Sequence, residues 1–261
     1  MSKMELATVD TKEMQIAPSP DALAIIINEM SDMDTFPAGR IKVASGGLTA
    51  LEVTEPGEDE GDVVKAVEGV ILTSSRVNAY WAAAMGSSED KAPNCSSQDG
   101  VTGINRETGE ALACATCHYN QFGTDANGRG KACKNMRQVF MLRPGDMLPL
   151  RFDVPPSGLQ AFDNYRTRLM LKGKSSNAVL TRIATTKRTN KDGTDYSAPV
   201  FEVVGALPLE ELPSIRQYAE AFARAAGRAT ITQDDVRRAP REAVGAEGFV
   251  AVDVDIDEMP F

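Results

Sequence analysis

Residues 86–134 constrain this chain more than any other stretch, because they hold all four of its cysteines and almost no apolar periodicity. The segment is rich in Gly, Asn, Ser and Asp. A structureless run of that length is improbable inside a compact domain, so something other than a hydrophobic core should order it. The spacing Cys95-x18-Cys114-x2-Cys117-x15-Cys133 offers a metal. Cys114 and Cys117 form a knuckle that presents two thiolates to a tetrahedral ion, and Cys95 and Cys133, one on each side, complete a four-sulfur set. Gly100, Gly103, Gly109, Gly123, Gly128 and Gly130 allow the chain to turn back repeatedly on that ion. The expected cofactor is one structural zinc, closed to catalysis. Competing readings are unligated cysteines and disulfides. Cys114-Ala115-Thr116-Cys117-His118 also matches the c-type haem attachment string. Haem attachment requires export, for which no signal is visible, and it leaves Cys95 and Cys133 unexplained. His118, the single histidine, either replaces one cysteine or stands beside the site.

Around this insertion the pattern is β-rich. Residues 1–35 read as an acidic arm with one short amphipathic helix near Asp21–Met30. Short strand-like runs follow at Ile41–Ala44 and Leu51–Thr54, then an acidic loop and a stronger strand from Val63 to Thr73, with Tyr80-Trp81 just beyond it. After the cysteines come Val139–Leu142, a Pro144-Gly145 turn and Leu148–Val154. Ser157 is positioned to cap a helix running to Leu171, with Leu159, Phe162, Leu169 and Met170 toward the core. Ala178–Thr186 and Ala198–Val204 read as a hairpin whose turn contains Asp192-Gly193. A helix over Leu209–Arg228 closes the domain, and a flexible linker and tail occupy 229–261. The pattern predicts a mainly β (α+β) chain. Its expected form is an OB-fold-like β-barrel over 36–228, with a zinc-binding insertion at about 86–134, flanking helices and an acidic C-terminal tail.

The formal net charge of -9 conceals a separation of charge. Residues 129–191 hold 14 Lys and Arg against three acids (Asp146, Asp153 and Asp163), whereas both ends of the chain are acidic. Such a stretch fits a polyanion. Single-strand binding combines a cationic groove with aromatic faces for the bases. The candidate contacts are Lys131, Lys134, Arg137, Arg166, Arg168, Lys172, Lys174, Arg182, Lys187, Arg188 and Lys191, together with Tyr80, Trp81, Tyr119, Phe122 and Tyr196. Arg129 belongs to the same basic run, and Phe140 and Tyr165 read as core. The basic hairpin residues Lys187, Arg188 and Lys191 are the first choice among them. No P-loop, Gly-x-Ser-x-Gly or nucleophile–histidine pair is present, so no catalytic residue and no enzyme activity is expected.

The chain closes on Asp253-Val254-Asp255-Ile256-Asp257-Glu258-Met259-Pro260-Phe261, in which four acids precede an apolar Pro-Phe end. A partner pocket with an apolar hole and a cationic rim would read Asp253, Asp255, Asp257, Glu258, Pro260 and Phe261. This tail resembles the acidic tip of bacterial single-stranded DNA-binding proteins, which ends in several Asp and Ile-Pro-Phe; Met259 replaces the usual Ile. The cysteine block and basic β pattern from about Gly69 to Leu207 also resemble zinc-containing single-stranded DNA-binding proteins of tailed bacteriophages. The resemblance implies a non-enzymatic protein that binds single-stranded DNA with little sequence specificity in replication, recombination and repair. It also implies recruitment of replication or recombination proteins through the tip. The zinc insertion departs from the usual bacterial protein, so a monomer or dimer is expected in place of a tetramer. The runner-up is a zinc-ribbon adaptor or transcription factor on duplex DNA or polymerase. With no signal peptide and no run of 18 apolar residues, the chain is expected in the cytoplasm (of a bacterial host, if phage-encoded) and away from membranes.

Overall fold

The structure, a computed structural model, describes residues 16–33, 38–45, 47–58, 60–83, 92–190, 193–226 and 231–233. In chain order the elements are α1 (Pro20–Asp32), β1 (Arg40–Val43), β2 (Leu51–Thr54), β3 (Asp62–Val64), β4 (Ala66–Tyr80), β5 (Cys95–Ser97), β6 (Thr102–Asn105) and β7 (Ala111–Ala113). They continue with β8 (Lys134–Leu142), β9 (Leu150–Val154), α2 (Leu159–Leu171), β10 (Val179–Thr189), β11 (Asp195–Ala206) and α3 (Leu212–Ala226). The eleven strands form one mixed sheet, mainly antiparallel, with three helices packed on it.

Strand β4 organises that sheet. On one edge it pairs with β8 from Val70 to Ala79. On the other it pairs with β10 through Ala66–Gly69 and with β5 through Asn78–Tyr80. Its side chains alternate as a strand buried on both faces requires. Val67 and Ile71 face a core made with β1, β2, β9, β10, β11 and α2. Val70 and Leu72 face a second core made with α1 and α3, in which Phe140 meets Phe222 edge-on at 4.9 Å. A bulge between Ile71 and Thr73 shifts the pairing by one residue, so beyond it the even-numbered positions take over the inner face. Gly69 sits where β4 changes partner. A Cβ there would lie 2.5 Å from the Leu142 carbonyl oxygen and 2.6 Å from Met141 Cγ.

The sheet is not closed. Its path runs β3-β2-β1-β9-β8-β4-β5-β6-β7, with β10 joined to β4 and β11 to β10. The expected barrel would have to close at the outer edge of β9, and β1 occupies that edge, running parallel to it with Arg40 opposite Arg151 and Ile41 opposite Phe152. Two helix expectations also change. Pro155-Pro156 initiates a 3-10 turn over Pro156–Gly158, so Gly158, and not Ser157, stands at the cap of α2. Phe162, Tyr165 and Leu169 form the buried stripe of α2, whereas Met170 is 64% exposed, about 100° around the helix from Leu169. The Tyr165 hydroxyl lies 2.6 Å from Thr181 Oγ1, which satisfies both in the core. The hairpin is longer than its sequence pattern suggests, with β10 and β11 in register from Val179–Ala206 to Thr189–Asp195 around one bulge. Among the described residues no helix is long and apolar enough to cross a membrane.

Gly69→Ala should cost about 1–3 kcal/mol, because the new methyl meets β8 backbone that cannot retreat without breaking the ladder. Urea denaturation of the two chains measures it.

Candidate nucleic-acid interface and cysteine pocket

Beyond the α2 core the inner face of β4 and β8 turns polar. Residues directly opposite on an antiparallel pair share a face, and the register sets Ser74 against Val139, Arg76 against Arg137 and Asn78 against Asn135. Arg137 is only 9% exposed. One of its Nη atoms donates to Asp163 at 3.2 Å, and its guanidinium lies 5.9 Å from the Phe162 ring. Arg166, one turn along α2, approaches the same ring at 6.0 Å. Burial pulls the Arg137 guanidinium below its ordinary range; Asp163 opposes this, while Arg166 and Arg76 add to it by like-charge repulsion.

The next row is made of amides. Asn135 Nδ2 donates to Asn78 Oδ1 at 2.7 Å and Asn78 Nδ2 to the Gly100 carbonyl at 3.3 Å. Lys131 Nζ bridges Asn135 Oδ1 at 3.1 Å and Asn120 Oδ1 at 3.3 Å. Two residues further on, Tyr80 stacks on Tyr119 with centroids 4.0 Å apart and planes 14° from parallel. Burial, then Tyr119, then Cys117 push the Tyr80 phenol above its ordinary range. Tyr119 is 43% and Phe122 79% exposed, and Lys131 Nζ lies 5.2 Å from the Phe122 centroid. From Arg76 to Tyr80 this track runs about 13 Å along one strand face.

The track ends at the cysteines. Cys95, Cys114, Cys117 and Cys133 line one pocket with Asn78, Tyr80, Gly103, Tyr119 and Asn120. Backbone bonds set the walls: Cys117 N donates to Ala113 O, Cys114 N to Val101 O and Cys133 N to Tyr119 O. Gly103 forms the floor, where a Cβ would come within 2.9 Å of Cys95 Sγ and 3.6 Å of Cys114 Sγ. Burial, followed by the other three thiols, pushes the Cys133 thiol up to about 12. Burial, then Cys114 and Cys117, raises that of Cys95. All four are free thiols. As their side chains stand, no group of three or more His, Cys, Asp or Glu among the described residues is arranged to hold a metal ion. Four thiols around a glycine floor are the donor type that a thiophilic ion takes. His118 is exposed on a 3-10 turn (His118–Asn120), edge-on to Tyr119, and is not part of the pocket wall.

The remaining sequence candidates divide by environment. Arg182 pairs with Glu68 at 2.8 Å and with Glu202 at 3.9 Å, and Lys187 pairs with Asp195 at 2.8 Å. The Arg168 guanidinium donates to the Phe201 carbonyl at 3.4 Å. Trp81 packs half-buried against Val77, Ala79, Met136 and Ile231, which makes it a core edge more than a free ring. Lys172 and Arg188 are exposed, and Lys134 and Lys174 are half-buried. Tyr196 is half-buried on β11 opposite Arg188. Lys191 and the tail residues Asp253, Asp255, Asp257, Glu258, Pro260 and Phe261 lie outside the described residues. Sequence reasoning missed Arg76, Asn78, Asn120 and Asn135. The alternation Ser74, Arg76, Asn78, Tyr80 against Val77 and Ala79 is the signal that marks a polar strand face.

No family model, curated protein or solved structure matches the chain.

Proposed function

We propose that this protein binds single-stranded DNA with little sequence preference, in replication, recombination or repair, and recruits partner proteins through its acidic C-terminal tip. The observation that carries the reading is the single strand face on which arginines, amides and stacked tyrosines succeed one another beside exposed Phe122. Cations for phosphates, amides for base edges and rings for base faces are what an unpaired strand requires. The connectivity supports it. Strands β9-β8-β4-β10-β11 are neighbours in that order, with α2 between β9 and β10 in sequence. We read this as an OB-like arrangement left open by β1. The cysteine segment then joins the first and second OB strands, and residues 190–194 join the fourth and fifth, the two loops through which OB-folds hold oligonucleotides.

In this reading Cys95, Cys114, Cys117 and Cys133 would hold one structural zinc ion as thiolates, releasing their protons on binding, and the ion would order the insertion that presents Tyr119 and Phe122. The protein groups act on the strand directly: Tyr119 and Phe122 offer ring faces, and Lys131 and Lys134 stand beside them.

Three measurements test the proposal. Fluorescence anisotropy should show tighter binding to oligo-dT than to a matched duplex, with Phe122→Ala losing about 1–3 kcal/mol per stacked base; preference for the duplex would favour an adaptor or transcription factor instead. Metal analysis of the purified chain should find about one zinc per chain, and chelation should lower the thermal midpoint; metal-free protein of unchanged stability rejects the zinc site. Removing the last nine residues should preserve or strengthen DNA binding at low salt while abolishing partner capture, since the tip is a tethered polyanion. Weaker DNA binding in the truncated chain contradicts that role.

A further inference from the structure

Arg76 and Arg137 stand directly opposite each other on adjacent antiparallel strands, a relation in which like charges destabilise a sheet. Arg166 brings a third guanidinium to the ring of Phe162, which Arg137 already approaches. Among the described residues, Asp163 is the carboxylate paired with this set, bonded to Arg137 at 3.2 Å. The group therefore keeps a surplus of positive charge. Arg137 also has an Nε–H that is buried without a hydrogen-bond partner, although such a donor is costly to leave unmet in a folded chain. Arg76 is exposed and Arg166 half-buried, so the set is open to solvent on one side. Repulsion and access from outside share one remedy, an anion seated among the three side chains, and the buried Nε–H shows that the Arg137 head is not fully satisfied within the chain.

We infer that Arg76, Arg137 and Arg166 form one seat for a backbone phosphodiester of a bound single strand. The inference rests on the single-strand reading and adds to it a position and a stoichiometry. Guanidinium N–H groups match the oxygens of a phosphate in paired geometry. The seat lies about 13 Å along β4 from Tyr80, which a few nucleotides of unpaired strand bridge. A phosphate held here and a base on the Tyr119–Phe122 side therefore belong to the same strand.

The test uses the full chain and its R76Q, R166Q and R76Q/R166Q variants, titrated with oligo-dT over a range of salt. Each single variant should weaken binding severalfold at low salt. Each should also flatten the slope of log affinity against log salt by no more than the roughly 0.7 that one single-strand phosphate contributes. Because the residues share one phosphate, the double variant should also stay within roughly 0.7 in total. A double variant that loses about twice as much places the two side chains on separate phosphates, and unchanged slopes in all three remove the seat; either result overturns the inference. Without DNA, R76Q should melt no lower than the parent, since it relieves repulsion; a lower midpoint marks a structural arginine and also counts against the seat. If the parent chain ignores oligo-dT, the single-strand reading fails, and with it the phosphodiester ligand. Inorganic phosphate then decides what the arginines do: a rise in the parent's thermal midpoint that R76Q lacks would identify a free-anion site, and no rise would leave no anion site.

Discussion

The fifteen residues of β4 have to satisfy three partner strands and two cores, and the rest of the structure follows from how that is done. The first half of the strand is apolar on both faces, because α2 covers one and α1 with α3 the other. Along the second half α2 meets the inner face through Phe162, Asp163 and Arg166 around Arg137, and that face becomes polar. An apolar side chain at exposed position 76 would meet water. Serine, arginine, asparagine and tyrosine instead keep the ladder while giving the surface polar character. The bulge after Ile71 makes this possible, since it re-phases the side chains at the point where the environment changes.

Charge is arranged less simply than its density along the chain suggests. Several basic side chains of the cationic stretch are matched locally: Arg182 by Glu68 and Glu202, Lys187 by Asp195, and Arg143 by Glu55 and Asp146. Exposed pairs of this kind contribute little stability, but they reduce the field that a polyanion would meet. The Arg76–Arg137–Arg166 group is different in kind. Arg76 and Arg166 repel Arg137, which alone of the three is bonded to Asp163, and Arg137 and Arg166 lie against the same ring. A surface selected only for solubility would disperse such charges, because separated cations repel less.

Much of the architecture was legible. Period-two runs located β1, β2, β9 and the hairpin, and the helices read near Asp21–Met30, from Ser157 to Leu171 and over Leu209–Arg228 match the three α-helices among the described residues. Open connectivity was not legible, because nothing in Arg40–Val43 announces that it will pair in parallel with β9. The small strands β5, β6 and β7 also escaped, for a physical reason. Each has three or four residues, and side chains at turns, not an apolar pattern, set their conformation. Asp99 accepts from the Val101 and Thr102 amides and Asn105 from the Glu107 and Thr108 amides. The four cysteines, singled out by spacing, line one pocket, and Tyr119 and Phe122, singled out by their loop setting, are exposed. Arg76 was not singled out, because a window of charge density reaches only residues near one another in sequence, and the ladder joins positions 76 and 137.

The cysteine pocket and the arginine row are mechanically one unit, which gives the insertion a reason to be where it is. The loop after β5 lies on β4: a Cβ at Gly100 would come within 2.7 Å of Arg76 Cβ, and the Gly100 carbonyl accepts from Asn78. From there, backbone bonds continue to the cysteines, with Cys114 N bonded to Val101 O. On the opposite side Lys131 ties Asn120, beside the pocket, to Asn135 on β8. Whatever orders the four thiols therefore also fixes the backbone against which Arg76 rests and the amide row between the arginines and the tyrosines. Small side chains are required along that path, because Gly100 adopts a φ of 72° and touches the arginine stem. Among the described residues of the cysteine segment, the backbone bonds around the pocket and the Gly100 contact with β4 tie a stretch of little apolar content to the sheet.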